Sequence, residues 1–584
     1  MSRLLPRTLA ICLLLMVLVG SALGQAAESA TDPTPTVFED TPLVQQYQAT
    51  ITPDDLAAHL YFFASDHFEG RETATRGQKM AAGYLAAQYR KLGARPAQPP
   101  AAAAPLAPEA YLQPFTVYGR AFGDGALTLM HGADTVAARR FTPAQPGTDA
   151  YYVWGNAAHR EGGLVFAGYG ISDAELGYDD YAALANAGLS SAGQWLLILD
   201  DEPLASAETS LLPTEDGAPS AWSTNLFQKI RAAFQAGAPR GILIVGDAGP
   251  RAPESLAAEA AIAMEGAAKP QGSVSLEPPA AGLAYPPLFV ISSELADQLL
   301  ASTGRTVAEL KADIDADLQP TVLAVEDARV SSRLTFETVP LGTENVVAYI
   351  EGSDPVLKDE VVVLSAHYDH IGIKPGTEGD RINNGADDDG SGTVALLEIA
   401  EAFQTAKENG HGPRRSVVFL NVSGEEKGLL GSAYYADTEP LFPLEQTVAN
   451  LNIDMIGRYD PTHPTGSENY VYIIGSNLIS QELHDLNLRV NEVTGIALEM
   501  DERFNSKDDP NQFYRRSDHW NFGKHGIPFI FFFTGTHEDY HDVGDEPQKI
   551  DYDRLARITR LVFGTAWQVA NQDDPPAVSG TGFN

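Results

Sequence analysis

His367 and Asp369 follow the apolar run Val361–Ala366, and Asp454 follows Leu451–Ile453. Glu425 and Glu426 follow Val417–Val422 after Ser423-Gly424, and His541 comes a short loop after Pro528–Phe533. A Gly-flanked acidic turn, Gly385-Ala386-Asp387-Asp388-Asp389-Gly390-Ser391-Gly392, opens a helical stretch. Carboxylates gathered without counter-charge repel one another, and divalent cations resolve the conflict. Two imidazoles with three carboxylates suit zinc. With one carboxylate shared, these side chains can hold two ions roughly 3.5–4 Å apart. Glu425, beside a ligand but free to point elsewhere, is then the candidate general base for a water attacking a carbonyl. His370, three after His367, and His537, four before His541, are alternative ligands at this point.

Such groups act together only if the fold converges them. From about residue 340, apolar runs of strand length alternate with helical segments such as Gly392–Thr405 and Ile479–Val493. That alternation predicts an α/β domain with a central, mixed but mostly parallel sheet. In open sheets of this kind the crevice lies at the carboxyl ends of the strands, where these side chains fall. Upstream, Thr52-Pro53-Asp54-Asp55 is a helix-start signal, and Gln78–Leu92 keeps helical spacing. Residues 25–45 read as an extended leader, and the prolines and alanines of 95–108 as a linker. Between roughly 125 and 300, short strand-like runs (Gly163–Ala167, Trp195–Leu199, Gly241–Val245) and a helix over Asn225–Ala236 predict a compact, β-rich or α/β insert without a ligand cluster.

Composition removes several function classes. Lys and Arg number 39 against 78 Asp and Glu, for a net charge of −39. A surface that acidic excludes nucleic-acid binding, which needs basic faces. The single cysteine, Cys12, lies in an N-terminal segment with the marks of a secretory signal. Arg3 and Arg7 give its positive start, Leu9–Val19 its apolar run, and Ser21–Gly24 a small-residue cleavage zone. The chain is therefore expected to be exported, to the periplasm or the medium, with no stable membrane insertion after cleavage and no thiol or disulfide. Without thiols, and with no Gly-x-Ser-x-Gly elbow, cysteine and serine hydrolase readings find no support.

The set His367-x-Asp369, Gly-Ala-Asp387-Asp388-Asp389-Gly-Ser-Gly, Glu425-Glu426, Asn452-x-Asp454 and Tyr540-His541-x-x-x-Asp545 resembles the co-catalytic dizinc peptidases of metallopeptidase family twenty-eight. The resemblance covers about 340–570 and extends to residues 51–92, where the run Leu60–Thr73 is similar to the family's N-terminal helix and loop. It implies a three-layer zinc-peptidase domain. It also implies that Asp387 bridges two zinc ions, with Glu426 and His541 completing one site and His367 and Asp454 the other. Glu425 would be the base, Asp369 a partner fixing the His367 ring, Tyr540 an oxyanion donor and Arg516 a group near the substrate. The middle region, with Val165–Gly170 and Gly241–Val245, is similar to the protease-associated domain often inserted in such enzymes. The implied layout is a signal peptide over 1–24, peptidase segments over 45–122 and 301–572, an insert over 123–300, and a flexible tail over 573–584. The implied activity is removal of N-terminal residues from peptides. The rival readings are a carboxypeptidase of the glutamate carboxypeptidase type, a one-zinc glutaminyl cyclase and a non-catalytic receptor-like protein.

Overall fold

The computed structural model describes residues 37–98, 107–214, 216–279, 285–376, 378–464 and 466–582, so the expected signal peptide lies outside the described residues. A short helix, Thr41–Gln48, occupies the end of the stretch expected to be an extended leader. Helix α1 (Pro53–Phe63) starts as its sequence dictates. The Thr52 side chain accepts from the Asp55 amide, proline stands in the first turn, and Asp54 and Asp55 meet the positive end of the dipole. Helix α2 (Arg76–Leu92) stops at Gly93, which takes the left-handed conformation at φ 85° that closes helices.

Strand β1 (Leu112–His131) pairs antiparallel with the 29-residue β7 (Val322–Ile350), from Leu112 opposite Val346 to His131 opposite Ala328. This ribbon runs between two hydrophobic cores. The core of the middle region is built on β2 (Ala150–Trp154), β3 (His159–Ala167), β4 (Trp195–Leu199), helix α3 (Leu226–Ala236), β5 (Gly241–Val245), helix α4 (Leu256–Ala268) and β6 (Leu288–Ile291). Strands β3 to β6 run parallel side by side, and β2 closes the edge antiparallel. The region is therefore α/β rather than β-rich. Parallel neighbours need crossovers, and the helices supply them. Leu295, Leu299, Val307, Leu310 and Ile314 pack in this core, so the boundary expected at residue 300 falls inside it.

The second core carries the candidate site. Its strands are β8 (Val361–His367), β9 (Ser416–Val422), β10 (Thr447–Ile453), β11 (Tyr470–Ile474), β12 (Glu499–Asp501) and β13 (Phe529–Phe533). Their order is β12-β11-β13-β10-β8-β9-β7. Pairs β9–β8, β8–β10, β10–β13 and β11–β12 are parallel, and β13–β11 and β9–β7 are antiparallel. Every residue of β8 and β9 is buried, as expected for strands covered on both faces. One face is covered by α1, α2, α5 (Gly392–Glu408) and α6 (Tyr552–Asn571), the other by a smaller cluster around Tyr435, Phe522 and Ile527. This is the three-layer α/β arrangement. The tail expected to be flexible instead docks: the amides of Ser579 and Gly580 donate to the Ile479 carbonyl, each at 2.9 Å. No described helix is long and apolar enough to cross a membrane.

The packing of α5 on α1 carries a testable charge. Glu398 is 2 % exposed, and its carboxylate lies 3.5 Å from His59 Nε2. Burial, followed by Glu401 and Asp55, pushes its pKa up from 4.5 to about 8. Between those two values the folded chain holds a proton that the unfolded chain has released, so this group's contribution to stability falls as pH rises through the window. Glu398→Gln should remove that fall, gaining on the order of 2 kcal/mol over wild type at pH 9 relative to pH 5. Denaturant unfolding of both proteins at the two pH values checks it, and parallel pH profiles would contradict it.

Candidate metal centre

Strand register brings the chemistry together. His367 at the end of β8 pairs with Val422 at the end of β9, Ser365 with Asn452 of β10, and Ile453 with Phe532 of β13. The segments leaving these strands therefore open on one crevice. Two donor groups result: His367, Asp388 and Asp454, and His370, Asp388 and Glu426, each with donor atoms within 4.8 Å of one another.

Asp388 joins them. Its Oδ1 lies 3.2 Å from His367 Nε2, and its Oδ2 lies 3.1 Å from His541 Nε2. Asp454 Oδ1 is 3.6 Å from His367 Nε2, and Glu426 Oε2 is 3.1 Å from His541 Nε2. Donors about 2.0–2.2 Å from a tetrahedral zinc stand roughly 3.3–3.6 Å apart, so these separations fit an ion between them. Asp388 Oδ2, Glu426 Oε1 and both His370 ring nitrogens are buried and make no well-aligned hydrogen bond, although His370 Nδ1 lies 2.8 Å from Glu426 Oε1 and Asp388 Oδ2 3.1 Å from His541 Nε2. Asp388, Glu425, Glu426 and Asp454 crowd the imidazoles of His367, His370 and His541, and two divalent ions would balance those four carboxylates. Burial opposes a charge on His367, but Glu425, Asp454 and Asp388 outweigh it and push its pKa well up. The residues present fit two zinc ions.

Asp387, expected at the centre, is turned away from both groups. Its Oδ1 accepts from the Gly457 amide at 2.6 Å, and its Oδ2 lies 3.4 Å from His537 Nε2. The shared carboxylate is that of the next residue. The acidic turn explains the shift: Asp388 and Asp389 leave helical φ/ψ, so three consecutive aspartates face three ways. Asp389 Oδ1 caps locally, accepting from Gly392 and Met455. The carboxylate of Asp545 holds the turn by accepting from the amides of Asp387 and Asp388. Of the two alternative histidines, His370 stands in the centre, 2.8 Å from Glu426 Oε1, and His537 does not.

The flanking groups are oriented by the backbone and by buried networks. His367 Nδ1 lies 3.0 Å from the Asp369 carbonyl, and 3.9 Å from its carboxylate. Donation to that carbonyl leaves Nε2 free to face Asp388. The Asp369 carboxylate instead accepts from Thr73 Oγ1 and from the Glu425 amide. Ser517 Oγ donates to Asp454 Oδ2 at 2.6 Å and receives from Asn452, which turns Asp454 Oδ1 toward His367. Arg71, fully buried, donates to the carbonyls of Tyr368, Asn384 and Gly385, clamping the His367 loop to the acidic turn. Burial brings its pKa down to about 10, against the pull of Asp545 and Asp369. The sequence signals for Arg71, Ser517 and Thr73 are weak, because the site partners of each lie at least 63 residues away in the chain.

Glu425 Oε2 stands 3.9 Å from His367 Nε2. Burial, with Asp454, Asp518 and Glu426, raises its pKa well above the usual range against the opposing pull of His367. Tyr540 stacks on His541 with ring centroids 3.9 Å apart. Burial and the carboxylates of Asp388, Glu426 and Glu425 keep its phenol protonated, a donor rather than an acceptor. Arg516 is exposed, with its guanidinium 4.9 Å from the Phe513 ring. A cavity of about 40 Å³ opens on Asp388, Glu425 and His541, walled by Met455, Phe513, Phe531 and Phe533, with Tyr540 and Arg516 at its side.

Several known proteins are similar to this chain. A probable zinc metalloprotease of Pyricularia oryzae is 30% identical over 285 residues, which is 43% of this chain and 53% of that protein. Aminopeptidase YwaD of Bacillus subtilis is 25% identical over 241 residues, covering 40% of this chain and 46% of that one. The chain thus spans about half the length of these curated relatives. The solved aminopeptidase from Aneurinibacillus sp. strain AM-1 aligns at 16% identity and a TM-score of 0.48, over 92% of this chain and 98% of that one. Residues 345–566, the stretch that carries the candidate centre, match the model of Peptidase family M28.

Proposed function

We propose that the chain is an exported, two-zinc exopeptidase that removes N-terminal residues from peptides. The observation that carries this reading is Asp388, which turns one oxygen to each donor group beside the carboxylate of Glu425. His367, Asp388 and Asp454 would hold one ion, and Asp388, Glu426 and His541, with His370 alongside, the other. Zinc held there supplies Lewis-acid polarisation of the scissile carbonyl and a nucleophile at neutral pH. Glu425 takes the proton of the attacking water and returns it to the leaving amine. The Tyr540 hydroxyl donates to the oxygen on which charge develops. Met455, Phe513, Phe531 and Phe533 receive a short apolar side chain, because the cavity they wall is narrow. The surplus of carboxylates around it suits a free ammonium at the substrate's end.

One observation favours a second reading. Arg516 makes no ion pair among the described residues and flanks the same cavity, so it is the cation available to a substrate carboxylate. A carboxypeptidase would use it in that way. Hydrolysis of leucine p-nitroanilide and of free-amine dipeptides, compared with N-acetylated peptides bearing a free carboxylate, separates the two. The proposal expects cleavage of the free-amine substrates and at least about 100-fold slower turnover of the blocked ones, since a mispaired terminus forfeits its charged contacts. Turnover confined to the blocked peptides contradicts it. Export is part of the same reading, and a mature protein beginning near Gln25 in N-terminal sequencing is its expected outcome.

A further inference from the structure

The middle region carries a second cavity, remote in sequence from the metal centre. It has a volume of about 310 Å³ and lies beside the parallel strands β4, β5 and β6. Ligand cavities commonly have this size, with apolar walls and a few polar groups. Asp200 directly follows β4, which puts a carboxylate at the carboxyl end of a parallel strand, where open α/β sheets take their ligands. Glu259, Ile262 and Ala263 stand three and four residues apart on α4, so one helix face offers both a carboxylate and an apolar wall. Tyr151 and Val153 of β2 alternate onto the same side and close it.

Several polar groups of this cavity keep acceptor capacity, although Asp200 Oδ1 already accepts from the Asp201 amide at 2.9 Å. Neither Asp200 nor Glu259 forms an ion pair among the described residues, while the nearby Arg251 is taken by Asp201 at 3.4 Å. Tyr151 is 8 % exposed, lines the cavity, and its hydroxyl makes no hydrogen bond among the described residues. Burial and then Glu259 and Asp200 raise its pKa, so the hydroxyl and both carboxylates share one neighbourhood. Ser223 Oγ, also in the wall, is buried without a partner. One cation is present, Lys229, but its ammonium is spent on the carbonyls of Tyr169, Leu199 and Asp201. The cavity therefore sets two carboxylates against one ammonium that is already held by main-chain carbonyls and attracted by Asp200, above walls of Ile262, Val290 and Trp222.

We propose that this cavity is a binding site for a primary amine on an apolar body, with Asp200 and Glu259 receiving the ammonium and Ile262 and Val290 the apolar part. Tyr151 and Ser223 complete the ammonium's acceptors, since each hydroxyl oxygen has lone pairs free. The site is separate from the metal centre and does not rest on the peptidase reading. Trp222 in its wall supplies the readout. Titration of the full chain with 2-phenylethylamine should give a saturable change in tryptophan emission that disappears in Trp222→Phe. Glu259→Gln and Asp200→Asn should each weaken that binding by about tenfold or more, because a charged hydrogen bond is lost. The matched anion 3-phenylpropionate should produce no saturable change. Absence of saturation with the amine, smaller losses in both carboxylate variants, or equal binding of the anion overturns the proposal. Glu259 is half-buried on a surface helix, so its variant stays folded even if Trp222→Phe does not.

Discussion

Glu425→Gln is expected to lower kcat on a free-amine peptide by roughly 10²–10⁴-fold while both metals stay bound. The glutamine keeps the size and burial of the side chain and removes only its capacity to accept a proton. Metal retention follows from geometry: Glu425 lies 3.9 Å from His367 Nε2, whereas Asp388 lies at 3.2 Å. The Glu425 amide is held by Asp369 independently of the side chain, so the loop keeps its place. KM should change little, because the loss falls on an interaction made in the transition state. Joint loss of activity and of one zinc would show instead that Glu425 is a ligand. Unchanged kcat would remove it from the reaction altogether.

Asp388→Asn and Asp387→Asn should differ sharply although the residues are adjacent. Asp388→Asn removes the charge that faces both donor groups, so zinc affinity should fall by more than roughly 100-fold, beyond the range of outer-sphere losses. Asp387→Asn keeps an acceptor for the Gly457 amide and alters only the contact with His537, so at most about a tenfold change in zinc affinity is expected. Metal analysis after dialysis against a weak chelator, with unfolding followed in parallel, separates lost affinity from lost fold. Equal metal loss in the two variants would contradict the placement of Asp388, and loss in Asp387→Asn alone would reverse it.

That pair also shows what a sequence can and cannot convey. The apolar runs of β8, β9, β10 and β13 are legible because buried parallel strands exclude charged carboxylates and ammoniums, and the groups at their ends stand out by contrast. Which of three consecutive aspartates faces inward is not legible, because the turn is neither helix nor strand and has no period to read. His370 shares this fate: its place beside Glu426 depends on the bend after β8. Asp369 was expected to fix the His367 ring, and its carbonyl, closer to the ring than its carboxylate, is the atom that does so. Side-chain identity is silent about a main-chain contact. The limits of the middle region are blurred for a related reason. The ribbon of β1 and β7 passes from one core to the other as continuous paired strands, with a register shift between Leu334 and Phe336 but no loop, so no linker marks the crossing.

Two zinc ions bound in this crevice would be held with Asp388 facing both. Anomalous scattering at the zinc edge from crystals of the zinc-loaded protein tests this arrangement most directly. Two peaks roughly 3.5–4 Å apart are expected. One should lie among His367, Asp388 and Asp454, the other among Asp388, Glu426 and His541, with His370 alongside. A single peak, or density centred on Asp387 and His537, would contradict the account.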